Sequence, residues 1–145
     1  MLELPASEVL EVTPDRLVPV ALHPVDAFEP DRFDRRTPRP IGDAALDHAF
    51  TGLDRDALGR ARVRVTDPAG CGVELAVSAA CPWVQVYTGD LPGGPATPGH
   101  RAGLAVEPMT CAPDAFNAAE YPYDTDLLVL APGAAAEASW RISAL

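Results

Sequence analysis

Lysine is missing from this chain. All 11 basic residues are arginine, set against 21 acidic residues for a net charge of -10. Without lysine there is no Walker-type phosphate loop, no Schiff-base chemistry and no lysine general base. The excess of negative charge repels phosphate backbones, so no nucleic acid partner is expected. Cysteine is scarce as well. Cys71, Cys81 and Cys111 are odd in number and show no CxxC spacing, which supports neither a disulfide framework nor a structural zinc site. No metal is expected. With no histidine that the sequence positions beside them, Cys81 and Cys111 read as small buried hydrophobes and not as nucleophiles. The opening MLELPASEVLEV carries acidic residues and lacks an uninterrupted apolar run, so it reads as neither a signal peptide nor a spanning helix. A soluble protein of the reducing cytoplasm, with no membrane partner, is the expectation.

What the chain does contain is apolar material and turns. Its 145 residues are 48% hydrophobic, enough for one domain with a real core, taken here as residues 1–145. The 16 Pro and 11 Gly punctuate short apolar runs without forming a repeat, which favours many short strands joined by turns. An all-β chain follows. SEVLEVT (7–13) reads as a first strand, and the Pro-rich, charged stretch from 19 to 43 as an ordered loop, a length that is often functional when ordered. ALDHAFTGLDRDALG, with Leu46, Phe50 and Leu53, reads as a short helical turn or apolar plug.

Beyond residue 60 the period becomes two. ARVRVTD (61–67) alternates Val63 and Val65 with Arg62 and Arg64, and after the turn DPAGCG the run GVELAVSAA (72–80) alternates Val73, Leu75 and Val77 with Glu74 and Ala76. This predicts a hairpin. CPWVQVYTG continues as a strand with Val84 and Val86 on one face and Trp83, Gln85 and Tyr87 on the other. An aromatic and amide face of that kind suits a sugar, although Trp83 and Tyr87 more simply cover sheet surface. AGLAVEPM forms a strand that sends Leu104 and Val106 to the core and Glu107 to the opposite face. DLLVLAPG, apolar on both faces, reads as a buried strand, and EASWRISAL closes the chain with Ala138, Trp140 and Ile142 alternating against Ser139, Arg141 and Ser143. Six or so strands in meander order would form one antiparallel sheet system.

The ordered set RTPRPIGDAALDHAF, WVQVYTGD, GLAVEPMTCAPDAFN and LLVLAPG, followed by an aromatic closing strand, resembles the C-terminal half of the aldose 1-epimerases, or galactose mutarotases. The resemblance runs along nearly the whole chain, and VEPMTCAPDAFN is its most specific block. It implies an antiparallel β-sandwich of the galactose mutarotase supersandwich type, of which this chain would be the C-terminal half. It also implies a cleft for a free aldose of the glucose and galactose class, whose α and β anomers are interconverted. A Glu acts as base on the C1 hydroxyl and a His as acid on the ring oxygen. The ring opens, C1 rotates and the ring recloses, so no cofactor is implied. Glu107 matches the family's base, Asp47 in LDHAF the Asp that hydrogen-bonds sugar hydroxyls, and Gln85 in VQVYTG a sugar-contacting Gln.

The family's acid His, a second His and a substrate-binding Arg lie in an N-terminal half, within NH-aromatic or GHP-aromatic segments, and this chain begins after the point where those would end. His23, His48 and His100 stand in other contexts. His48, though adjacent to Asp47, is expected to point away from it, and His100 beside Arg101 reads as a solvated loop pair. The chain is therefore expected to hold half of a catalytic site, and to self-associate or meet a complementing N-terminal half. A non-catalytic carbohydrate-binding or assembly module on the same fold is the alternative. Sugar phosphates would need an arginine cluster at the cleft, whereas Arg35, Arg36, Arg39, Arg60, Arg62 and Arg64 read as loop and strand-edge charges. Taken singly, Glu107 would be a solvated strand carboxylate and Asp47 a turn or capping residue.

Overall fold

The hairpin expected over 61–80 forms, and one of two sheets grows around it. The computed structural model describes residues 1–145 throughout. It pairs β5 (Ala61–Thr66) with β6 (Gly72–Val77) so that Val63 opposes Leu75 and Val65 opposes Val73 on one face, while Arg62 opposes Ala76 and Arg64 opposes Glu74 on the other. The apolar face turns inward. A short β1 (Leu2–Glu3) adds to one side and β9 (Trp140–Ala144) to the other, for the order β1-β5-β6-β9.

The second sheet has five antiparallel strands, β2 (Ala6–Val12), β3 (Pro19–Pro24), β4 (Asp47–Leu53), β7 (Trp83–Tyr87) and β8 (Ala105–Met109), in the order β3-β2-β4-β7-β8. Val9, Phe50, Val84 and Val86 from this sheet meet Val63, Leu75 and Val77 from the other in one buried cluster. The molecule is thus an all-β antiparallel sandwich. Two sheets replace the single meander, because the chain passes from one sheet to the other after β1, β4, β6 and β8.

Three local readings are corrected. The stretch from 19 to 43 is not all loop: it contains β3 and a helical turn, α1 (Pro30–Phe33), whose Phe33 is buried in the core. The segment around LDHAF is no helical turn or plug but β4, the central strand of the larger sheet. Backbone pairing to β2 and β7 decides the matter, since a strand hydrogen-bonded on both sides satisfies every donor and acceptor that a lone helical turn would leave open. DLLVLAPG forms no strand, and Leu128, Val129 and Leu130 are exposed. No neighbouring strand is there to pair with it, and apolar composition alone does not bury a segment.

The sandwich is open along the side of β8 and β9. Val73 and Ile142 sit on the inward face of the smaller sheet, yet remain 46% and 67% exposed. With Val65, Leu104 and Val106, Val73 and Ile142 border an apolar cavity of about 320 Å³ between the sheets. The closing strand forms where expected, but its apolar face is uncovered.

Candidate functional site

Register places the site residues on one surface. On the outer face of the five-stranded sheet, Ala49 of β4 opposes Gln85 of β7, which opposes Glu107 of β8, and the next row runs Asp47, Tyr87, Ala105. Directly opposed side chains in an antiparallel pair stand roughly 5 Å apart at Cβ, so Gln85 and Glu107 are immediate neighbours. Asp47 lies on the diagonal from Gln85, and the Gln85 Nε2 donates a hydrogen bond to the Asp47 Oδ1 at 2.7 Å. All three residues singled out in the sequence therefore share one face and one neighbourhood.

Their environments differ. Glu107 is exposed, and its carboxylate has neither a hydrogen bond nor an ion pair. Asp47 and Gln85 are half-buried. The bond to Asp47 fixes the Gln85 amide, leaving the Gln85 Oε1 buried without a partner. Leaving a buried acceptor unsatisfied costs about 1–3 kcal/mol, so it asks for a donor. Asp47 also borders a cavity of about 300 Å³ shared with Leu17, Arg32, Tyr87 and Asp90.

Segments on both sides frame this surface. Toward Trp83, a second buried cluster of Leu10, Ala49, Trp83 and Ala112 is overlain by Met109 and Tyr123, so Trp83 covers sheet surface and is closed to a ligand. The Trp83 Nε1 donates to the Asp126 Oδ2 at 2.7 Å, tying the 110–126 segment down, and Tyr121 stacks on Tyr123 at 5.3 Å. The Tyr123 hydroxyl is also buried and unpartnered. Sequence reading missed Tyr123, because nothing local to NAAEYPYDT distinguishes a tyrosine folded over a sheet from a solvated one.

Toward Asp47, the β7–β8 loop is anchored by Arg101, which donates to the Asp90 Oδ1 at 3.0 Å and to the carbonyls of Gly42 and Ala44 at 2.7 and 3.2 Å. The His100 Nδ1 accepts from the Leu91 N–H at 3.1 Å. This pair is a structural clasp, not the solvated pair expected. Burial would raise the Asp90 carboxyl, but the Thr88 hydroxyl and the Arg101 charge outweigh it and hold the group below the ordinary carboxylate value.

None of the histidines faces Glu107. His48 occupies the inward face of β4, edge-on to Phe33 at 4.8 Å, and its Nδ1 accepts from the Asp47 N–H at 3.0 Å. Burial, with a smaller contribution from Arg32, pushes its pKa down from 6.5 to about 4, so the ring is neutral near pH 7. His23 also faces inward, stacked on Phe28 and bound to Glu11 at 2.7 Å.

The sandwich gathers a Glu, a Gln and an Asp on one outer face. A family model described as aldose 1-epimerase matches residues 1–143, and the chain belongs to that family. It is also 31% identical over 133 residues to a protein of Escherichia coli (strain K12) that carries the description "Uncharacterized protein YihR". That alignment covers 92% of this chain and 36% of the relative, so the chain spans little more than a third of the relative's length.

Proposed function

We propose that this chain carries the base side of an aldose 1-epimerase site. Glu107 takes the proton from the anomeric hydroxyl of a hexose of the glucose and galactose class, and Asp47 and Gln85 hold neighbouring hydroxyls. What supports the reading is the register that sets Gln85 beside Glu107, together with the 2.7 Å bond from Gln85 to Asp47. An exposed, unpaired carboxylate can receive a proton without first breaking an internal bond. A fixed amide with an idle carbonyl oxygen is prepared to accept from a sugar hydroxyl. Both steps of the reaction are proton transfers between side chains and sugar, and no cofactor enters.

The acid is the missing member. Since His23, His48 and His100 all point elsewhere, the proposal takes the proton for the ring oxygen from a residue outside these 145, on an upstream segment or another chain. General acid or base participation contributes about 10²–10⁴-fold each. The chain alone is then expected to accelerate mutarotation only weakly. Polarimetry on freshly dissolved α-D-galactose tests this. The expected result is a small acceleration over the spontaneous rate that Glu107→Gln removes; turnover at the level of a complete acid–base pair by the isolated chain would contradict the half-site.

The absence of any acid facing Glu107 also favours a second reading, a carbohydrate-binding module that retains the surface without the chemistry. On that reading, chain and Glu107→Gln variant bind galactose equally and neither alters the polarimetric rate.

A further inference from the structure

The side of the sandwich away from Glu107 carries an arrangement that a sugar-epimerising surface does not call for. On the outer face of the four-stranded sheet, Arg62, Ala76 and Arg141 form one row across β5, β6 and β9, and Arg64, Glu74 and Ser143 form the next. Strands lie about 4.8 Å apart, so the two arginines of the first row flank Ala76 from roughly 10 Å apart at the backbone. Ala76, small and itself buried, lies at the floor of the space between them. That space is a cavity of about 350 Å³, walled also by Arg60, Ser139, Ser143 and, at the free edge of the sheet, Trp140.

The charges in this cavity are unevenly satisfied. Glu74 is nearly buried and is bound by both Arg62 and Arg64, while Arg62 also pairs with Asp56 at 2.7 Å. Burial would raise the Glu74 carboxyl, but the bonds from Arg64 and Arg62 hold it below its ordinary value, so it stays ionised and engaged. Arg60 and Arg141 make no ion pair, and neither guanidinium donates a hydrogen bond.

That is unusual in this chain. Arg32, Arg36, Arg39, Arg62, Arg64 and Arg101 pair with carboxylates. Arg35 and Arg55 donate to main-chain carbonyls. Only Arg16, Arg60 and Arg141 remain, and two of these three open onto one cavity that already holds Arg62. In a protein with a net charge of -10, carboxylates are available to neutralise them, yet none does. Gathering like charges without counterions is unfavourable unless an anion joins them.

We propose that this cavity binds a phosphorylated small molecule. Its phosphate sits over Ala76 between Arg60 and Arg141, which supply planar, multiply donating guanidiniums. The Ser139 and Ser143 hydroxyls add donors, and Trp140 offers a wall to the organic part, for which the volume leaves room. Because the sheets stand back to back, this site is separate from the surface that carries Glu107, and its occupant is not the sugar proposed there.

The test titrates the whole chain with inorganic phosphate at constant ionic strength, reading tryptophan fluorescence and Tm. Trp83 is buried and Trp140 is 59% exposed beside the cavity, so a change in emission reports on Trp140. The expected outcome is a saturable change in emission and a rise in Tm. An Arg60→Ala/Arg141→Ala variant should weaken phosphate binding at least roughly tenfold, the loss of two charge-assisted hydrogen-bonding groups. Neither side chain has a partner in the fold, so the variant should keep its structure. Arg16→Ala, an unpaired arginine outside the cavity, should respond like the parent chain. No response to phosphate, the same response to sodium chloride, or an undiminished response in the double variant would each overturn the assignment.

Discussion

Glu107 and Gln85 show how much a side chain's meaning depends on the residue opposite. An exposed glutamate on a strand is commonplace, but this one stands across from an amide whose nitrogen is committed to Asp47 and whose oxygen has nothing to bind. His48 lies one residue from Asp47 and has the opposite character, since strand alternation turns it into the core. Its folded pKa of about 4 lies below the 6.5 of a free imidazole. Between those values the unfolded chain binds a proton that the folded chain refuses. The stability this neutral ring contributes is complete above pH 6.5 and is lost as the pH falls toward 4. From pH 7.5 to 5 the loss amounts to about 2 kcal/mol. Urea denaturation at the two pH values should show a pH dependence shallower by about that amount in His48→Gln than in the parent; identical slopes would mean that the ring is accessible to protons in the folded chain.

At the scale of the element, β4 matters most, because it delivers Asp47 to one face and His48 and Phe50 to the other. Its end is set by Gly52, which has a φ of +62° and accepts a hydrogen bond at its carbonyl from the Ser7 hydroxyl. A Cβ added there would lie 2.1 Å from the Ser7 Oγ. Gly52→Ala should destabilise the chain by roughly 1–2 kcal/mol for the left-handed backbone alone, measured as a lower urea midpoint with an unchanged slope. An unaltered midpoint would show that the β2–β4 junction yields easily.

Strands with clean alternation, β5 to β8, were legible in the sequence, and with them the faces of Gln85 and Glu107. β4 was not, because its inward face includes a histidine and its outward face an alanine, which blurs the period of two, while Leu46, Phe50 and Leu53 mimic a helical spacing. β3 was hidden by Pro19 and Pro24 at its ends, residues that an edge strand tolerates. DLLVLAPG misled in the other direction. The convergence of Asp47 with Gln85 depends on pairing between strands nearly forty residues apart, which no local pattern encodes. Its only signal in the sequence was the family resemblance.

For the whole molecule, the governing feature is the open side of the sandwich. β9 is an edge strand with free backbone groups, and Val73 and Ile142 leave the inward face beside it uncovered. Exposed edges and apolar strips of this kind recruit partners. The chain by itself should self-associate at micromolar concentrations in gel filtration with light scattering, and Ile142→Ser should shift it toward the monomer. A well-behaved monomer for the parent chain at all concentrations would show that the strip tolerates water.

The central claim is that Asp47, Gln85 and Glu107 form one sugar-facing surface. Titration of the isotope-labelled chain with D-galactose, followed by NMR, tests it most directly. The Gln85 side-chain amide and the backbone amides of Asp47, Gln85 and Glu107 should shift together along one saturable curve, leaving β5 and β6 unmoved. Shifts confined to other parts of the chain, or no shifts at those residues, would contradict it.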